Sequence, residues 1–103
     1  MAKIEKGVTD DIIQLLSSHR TTLYEKFHVE SLAIFGSVSK GLARPDSDID
    51  ILIRYKKTPG LFGFLDLKRY LEGIVGRPVD LVTEGALKKH LKEQILREAI
   101  DVA

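Results

Sequence analysis

The sequence has 103 residues, the length of one small domain with a single hydrophobic core. Sixteen Lys and Arg residues stand against fifteen Asp and Glu, so the net charge gives no reason to expect a general nucleic-acid or membrane binder. The absence of Cys excludes disulfides and thiolate metal sites, and we find neither a signal-peptide core nor an apolar run of membrane-spanning length. We therefore expect a cytoplasmic protein with one domain over residues 1–103.

The first predicted elements are a helix and a short strand. Thr9 is typical of a helix N-cap, and apolar residues at helical spacing follow it. This pattern predicts a helix over residues 9–27, with His19 packing at the edge of the apolar stripe. The run SLAIF, residues 31–35, predicts a buried strand that ends at Gly36.

The segment DSDIDILIRY, residues 46–55, alternates strictly in polarity, which predicts a second strand with one buried face. Its three isoleucines point to one face of the sheet. The side chains that point to the other face are Asp48, Asp50, Leu52 and Arg54. The connection from the first strand is too long for a tight hairpin, so we expect a short helical turn within it.

The second half of the chain predicts a helix, a third strand and a last helix. After a turn at residues 56–60, an amphipathic pattern runs over residues 61–75 and stops before Gly76, a position typical of a left-handed C-cap. The run PVDLVT, residues 78–83, predicts the third strand. Apolar residues at a spacing of four predict the last helix over residues 87–99.

This order of elements predicts an α/β (α+β) fold, with a small mixed three-stranded sheet covered on one face by helices. The second and third strands are joined through a helix. We therefore expect them to be parallel neighbours with a right-handed crossover.

Three aspartates are predicted to converge on the face that the helices leave uncovered. Residues i and i+2 of a strand face the same side, which places Asp48 and Asp50 together, and Asp80 projects from the neighbouring strand. Three clustered carboxylates are costly unless a cation lies among them, and an oxygen-only ligand set suits Mg²⁺ or Mn²⁺. Two such ions about 3.5–4 Å apart form the clamp used for in-line displacement at phosphorus. A solvated surface pair is the alternative interpretation of the DxD motif.

Possible phosphate-binding residues follow the first strand. Gly36 allows a sharp turn and a close approach by a phosphate, and the Ser37 hydroxyl and the N–H groups of a following helical turn are suitable donors. Lys40 and Arg44 lie between this pair and the second strand. Either could neutralise charge that develops on pyrophosphate, although solvated loop cations are equally common.

These motifs resemble the signature of the nucleotidyltransferase superfamily with a DNA polymerase beta-like palm. Gly36 and Ser37 are followed by ten residues, by Asp48-Ile49-Asp50 and by an aspartate on a later strand. The segments ARPDSDIDILI and GRPVDLVTEGALKKHLKEQILREAIDV are most similar to the MNT group, the minimal nucleotidyltransferases. Members of that group are often encoded beside a HEPN-domain toxin, as its antitoxin.

The resemblance implies a polymerase beta-like fold and a two-metal transfer of a nucleoside monophosphate. Asp48 and Asp50 would bridge two Mg²⁺ ions, and Asp80 would hold the ion that activates the attacking hydroxyl. Gly36 and Ser37 would hold the β- and γ-phosphates of the nucleotide.

We therefore expect a Mg²⁺-dependent enzyme that transfers AMP from ATP to a hydroxyl of a HEPN toxin and neutralises it, within a hetero-oligomer. The nearly neutral charge and the lack of an additional polynucleotide-holding domain argue against direct nucleic-acid binding. Two alternatives stay open. One is a non-catalytic antitoxin that covers its partner, and the other is transfer to a small molecule.

Overall fold

The computed structural model describes residues 4–36, 48–57, 59–87 and 89–102, with only the backbone described for residues 4–9 and 90. The helices are α1 (Ile4–Ser18), α2 (Arg20–Phe27), α3 (Leu61–Val75) and α4 (Lys89–Glu98). The strands are β1 (Val29–Phe35), β2 (Ile49–Tyr55), β3 (Val79–Thr83) and β4 (Ile100–Asp101). A short 3-10 helix, Glu84–Ala86, follows β3.

The strands form one mixed sheet in the order β3-β2-β1-β4. β2 pairs antiparallel with β1 and parallel with β3, which confirms the predicted neighbours. The fold class is therefore as predicted, but the strand number was wrong. The fourth strand has two residues, and antiparallel pairing of Ile100 and Asp101 with β1 holds it in place. Two residues are too few to carry a period-two pattern, so β4 has no signal in the sequence.

The hydrophobic core lies on the face of the sheet that α1, α2 and α3 cover. The three isoleucines of β2 are fully buried there, as the alternating pattern predicts. Burying one such side chain contributes about 1.5–3 kcal/mol, so this strand is firmly anchored. The other fully buried side chains of this core come from all three helices and from β1: Leu16, Leu23, Val29, Leu32, Ile34, Leu67 and Leu71.

The predicted first helix is two helices, broken at His19. Thr9 is not an N-cap, because α1 already begins at Ile4. The carbonyl oxygen of Leu15 accepts hydrogen bonds from the Ser18 hydroxyl and from His19 Nδ1, at 2.7 and 2.8 Å. The backbone N–H of His19 donates to the carbonyl oxygen of Leu16, three residues earlier, instead of to the residue four earlier as in an α-helix. α1 therefore ends here. The His19 ring packs edge-on against the ring of Tyr70, which confirms its packing role.

The predicted C-cap of α3 is confirmed. Gly76 has a φ of 68°, and its N–H donates to the carbonyl oxygen of Glu72 at 2.8 Å. The last helix begins at Lys89, two residues later than predicted, because a 3-10 turn precedes it. None of the four apolar residues that recur at this spacing is buried, and Leu91 is 43% exposed; the four are Leu87, Leu91, Ile95 and Ala99. Across the described residues, we find no helix long and apolar enough to span a bilayer.

Candidate active site

Three aspartates stand together at one end of the parallel strand pair. Asp48 directly precedes β2, and Asp50 and Asp80 are the second residues of β2 and β3. Asp50 and Asp80 are direct partners in the parallel register, so both side chains project from the face opposite the core. Asp50 is partly buried, whereas Asp48 and Asp80 are exposed. The structure thus brings together the carboxylate cluster (Asp48, Asp50 and Asp80) that the sequence predicts.

The surroundings of Asp50 raise the pKa of its carboxyl group. Partial burial is the largest cause, followed by the negative charges of Asp80 and Asp48 and a side-chain hydrogen bond with Asp80. Burial and the neighbouring negative charges both disfavour the ionised form of Asp50, and a cation among the carboxylates would relieve that cost.

The chemistry of this cluster fits a hard divalent cation, since all of its donors are carboxylate oxygens. In the described part of the chain, however, no three His, Cys, Asp or Glu side chains are already arranged to hold a metal ion. Metal binding at the cluster stays a prediction.

The backbone at Gly36 lies directly against the carboxylate of Asp50. Gly36 follows Phe35, the β1 residue that pairs with Asp50, and has a φ of 72°. A Cβ built at this position would overlap Oδ2 of Asp50. Only glycine fits this turn, for reasons of both backbone angle and space. The sharp turn predicted after β1 is confirmed, and the group that approaches it is a member of the carboxylate cluster.

The remaining predicted site residues, Ser37, Lys40 and Arg44, lie outside the described residues, as does the predicted helical turn between β1 and β2. Their phosphate-binding roles stay predictions.

Glu72 contributes to the site without any signal that we recognised in the sequence. Its Oε2 accepts the N–H of Val79 at 2.9 Å, at the start of β3. The carbonyl oxygen of the same residue caps α3 through Gly76. Glu72 therefore ties the end of α3 to the residue before Asp80. The available sequence signal for Glu72 is its position, a polar residue four positions before the glycine that ends the helix.

A network of ion pairs lies further along β2, on the face of the sheet opposite the core, which we call the open face. Nε and Nη2 of Arg54 donate to Oε2 and Oε1 of Glu84 at 3.1 and 2.9 Å, and Nη1 lies 3.5 Å from Glu30. Lys92 of α4 reaches the same Glu84 at 3.1 Å. Hydrogen bonds from Arg54 chiefly, and then from Lys92, hold the pKa of Glu84 below its usual value. This network links α4 to the open face.

The sequence family agrees with this geometry. A profile of the Nucleotidyltransferase domain matches residues 16–102. This chain belongs to the nucleotidyltransferase domain family. The nucleotidyltransferase is 39% identical over 93 residues to the protein adenylyltransferase MntA of Thermococcus cleftensis, a match that covers 90% of this chain and 94% of that relative. The predicted enzyme class is confirmed.

Solved structures show the same fold. One is described as a minimal nucleotidyltransferase, and it superposes with a TM-score of 0.75 and 37% identity over 87% of this chain and 92% of its own. The predicted resemblance to the minimal nucleotidyltransferases is therefore confirmed. Another is a complex of the tri-AMPylated HEPN toxin of Shewanella oneidensis with its MNT antitoxin. That match has a TM-score of 0.63 and 22% identity, covers 88% of this chain and 71% of the other, and is a likeness of fold.

Proposed function

We propose that this nucleotidyltransferase transfers AMP from ATP to a hydroxyl group of a HEPN-domain toxin and neutralises it as the toxin's antitoxin. The observation that carries this proposal is the register of β2 and β3, which sets Asp50 beside Asp80 with Asp48 within electrostatic range. The name of the relative from Thermococcus cleftensis supports transfer of an adenylyl group to a protein. The HEPN–MNT complex supports the choice of partner.

The energetics of the carboxylate cluster favour an enzyme over a protein that only binds its partner. Like charges at this spacing destabilise a fold unless a cation or a proton lies between them. A surface that only binds a partner gains nothing from clustered carboxylates, whereas metal-assisted phosphoryl transfer needs them as ligands for its ions.

Each residue of the site has a defined part in the proposed reaction. Asp48, Asp50 and Asp80 would hold two Mg²⁺ ions, or Mn²⁺, which would polarise the phosphates and lower the pKa of the attacking hydroxyl. Asp80 accepts the proton of that hydroxyl, or passes it to water. Gly36 and Ser37 hold the β- and γ-phosphates. The acceptor oxygen forms a bond to the α-phosphorus, the bond from the α-phosphorus to the bridging oxygen breaks, and pyrophosphate leaves. We place this reaction in the cytoplasm, where ATP is available.

The proposal is tested by mixing this chain with a purified HEPN-domain toxin as the candidate acceptor, Mg²⁺, and ATP labelled at either the α- or the γ-phosphate. The intact mass of the HEPN protein is measured at each time point. We expect label from the α-position only, with the mass rising in AMP-sized steps and toxicity falling in parallel. Asp50→Asn should abolish the transfer. Asp66→Asn is the matched control, since Asp66 is an exposed aspartate on α3, and it should transfer normally.

Retention of γ-label would contradict the proposal and indicate a kinase. Full neutralisation without any change in mass would favour the non-catalytic antitoxin. Consumption of ATP with a small-molecule hydroxyl compound, but not with the HEPN protein, would favour the small-molecule acceptor.

A further inference from the structure

A groove of about 290 Å³ lies on the open face of the sheet, between β1, β2 and α4. Its floor is formed by Ala33 and Leu52, which are almost fully buried, so the accessible apolar surface is that of Leu96 of α4, which closes one side. The polar residues that border it are Ser31, Arg54, Glu84 and Asp101. We call this feature the open-face groove.

The open-face groove begins beside the carboxylate cluster. Leu52 follows Asp50 by two residues on the same side of β2, which places the two side chains roughly 6.5–7 Å apart along the strand. Ala33 is the register partner of Leu52, and it lies two residues before Phe35, the partner of Asp50. A chain lying in the groove would therefore run directly to the place where the acceptor hydroxyl has to react.

The charges around the open-face groove favour a cationic occupant. The guanidinium of Arg54 is already engaged by Glu84 and Glu30. In the described parts of the chain, Asp101 makes no ion pair, and its carboxylate borders the groove. The groove thus presents an apolar floor between the carboxylate cluster and one further free carboxylate.

We propose that the open-face groove binds the segment of the partner protein that carries the acceptor hydroxyl. An extended segment advances about 3.3 Å per residue, so a residue two positions from the acceptor reaches Leu52 when the hydroxyl is at Asp50. That residue is apolar and packs against the exposed side chain of Leu96, and a neighbouring Lys or Arg pairs with Asp101. The proposal rests on the proposed protein acceptor and adds how the enzyme selects it.

Leu96→Glu tests the apolar side of the groove, with Leu91→Glu as the matched control. Both leucines are on α4 and equally accessible, at 44% and 43% exposed, but only Leu96 lines the groove. Both variants should fold, which thermal unfolding checks. We expect Leu96→Glu to raise the KM for the HEPN protein about tenfold or more, with kcat at saturating acceptor nearly unchanged. Leu91→Glu should leave both constants unchanged.

Asp101→Lys tests the charge, with Asp66→Lys on α3 as its control. Asp101→Lys should raise the KM for the HEPN protein, and Asp66→Lys should not. The affinity of each variant for a fluorescent, non-hydrolysable ATP analogue with Mg²⁺ is measured in parallel and should equal that of the wild type.

The outcomes separate the groove from the proposed function. If the wild type transfers AMP and Leu96→Glu has an unchanged KM, the groove proposal is overturned and the proposed function stands. Equal effects of Leu96→Glu and Leu91→Glu would assign the contact to α4 as a whole and also overturn it. Weaker binding of the ATP analogue to Leu96→Glu would make the groove part of the nucleotide site. A wild-type protein without transfer activity would overturn the proposed function, and the groove proposal with it.

Discussion

Gly36→Ala is expected to lower both the stability and the activity of this nucleotidyltransferase. Gly36 has a φ of 72°, and an L-residue held in that region costs roughly 1–2 kcal/mol. The new Cβ would also overlap Oδ2 of Asp50, so that carboxylate has to move within the carboxylate cluster. The stability loss therefore has a backbone part, which any side chain would cause, and a second part that comes with the displacement of Asp50.

Gly76→Ala separates these two parts. Gly76 has nearly the same φ, 68°, but a Cβ there has no neighbour within 4 Å. Urea denaturation should show a loss of about 1–2 kcal/mol for Gly76→Ala and a loss at least as large for Gly36→Ala. AMP transfer should fall about 100-fold in Gly36→Ala, because a shift of about 1 Å in a reacting group costs that much. Gly76→Ala should transfer at close to the wild-type rate. Equal activity of the two variants would refute the claim that the approach of Gly36 positions Asp50.

Three further changes test other parts of the structure. The fold raises the pKa of Asp50, so the wild type has a stability contribution that is present below the unfolded pKa and is lost as pH rises through the folded pKa. Asp50→Asn should not lose this contribution as pH rises. If the free energies of unfolding of the variant and the wild type, measured by denaturation from about pH 4 upward, change with pH in parallel, this expectation is contradicted. Ile51→Asp should unfold the domain, because it buries a charge in a fully buried position, and a native circular dichroism spectrum would be the opposing result. Glu72→Ala should lower stability by about 1–3 kcal/mol and slow transfer, since the N–H of Val79 loses its acceptor, whereas Glu72→Gln keeps an acceptor oxygen and should retain both properties. Equal losses in the two Glu72 variants would exclude that hydrogen bond as the cause.

The sequence predicts those parts of the fold that depend on a pattern of neighbouring residues. Strict alternation over β2 separates its buried isoleucines from Asp50 and Arg54, and the structure shows the same separation. The C-cap at Gly76 depends on one residue type at one helix end. The convergence of Asp50 and Asp80 follows from the parallel pairing of β2 and β3, which is the arrangement expected of neighbouring strands joined through a helix.

The features that the sequence does not predict depend on partners far away in the chain. Arg54 and Glu84 are 30 residues apart, and nothing in either local pattern indicates their ion pair. β4 exists only because β1 offers it an edge to pair with. The apolar residues of α4 recur at helical spacing, yet Leu91 is exposed. Such spacing indicates an amphipathic helix but does not indicate which surface covers its apolar side.

Binding of Mn²⁺ to the carboxylate cluster, with and without a non-hydrolysable ATP analogue, tests the central claim most directly. Calorimetric titration of the wild type should show weak binding of the ion alone and much tighter binding with the nucleotide, since hard divalent ions rely on substrate phosphates to complete their ligand shell. Asp50→Asn should lose the nucleotide-dependent binding, and Asp66→Asn should keep it. Nucleotide-dependent binding that survives in Asp50→Asn at full strength would contradict the assignment of the carboxylate cluster as the catalytic metal site.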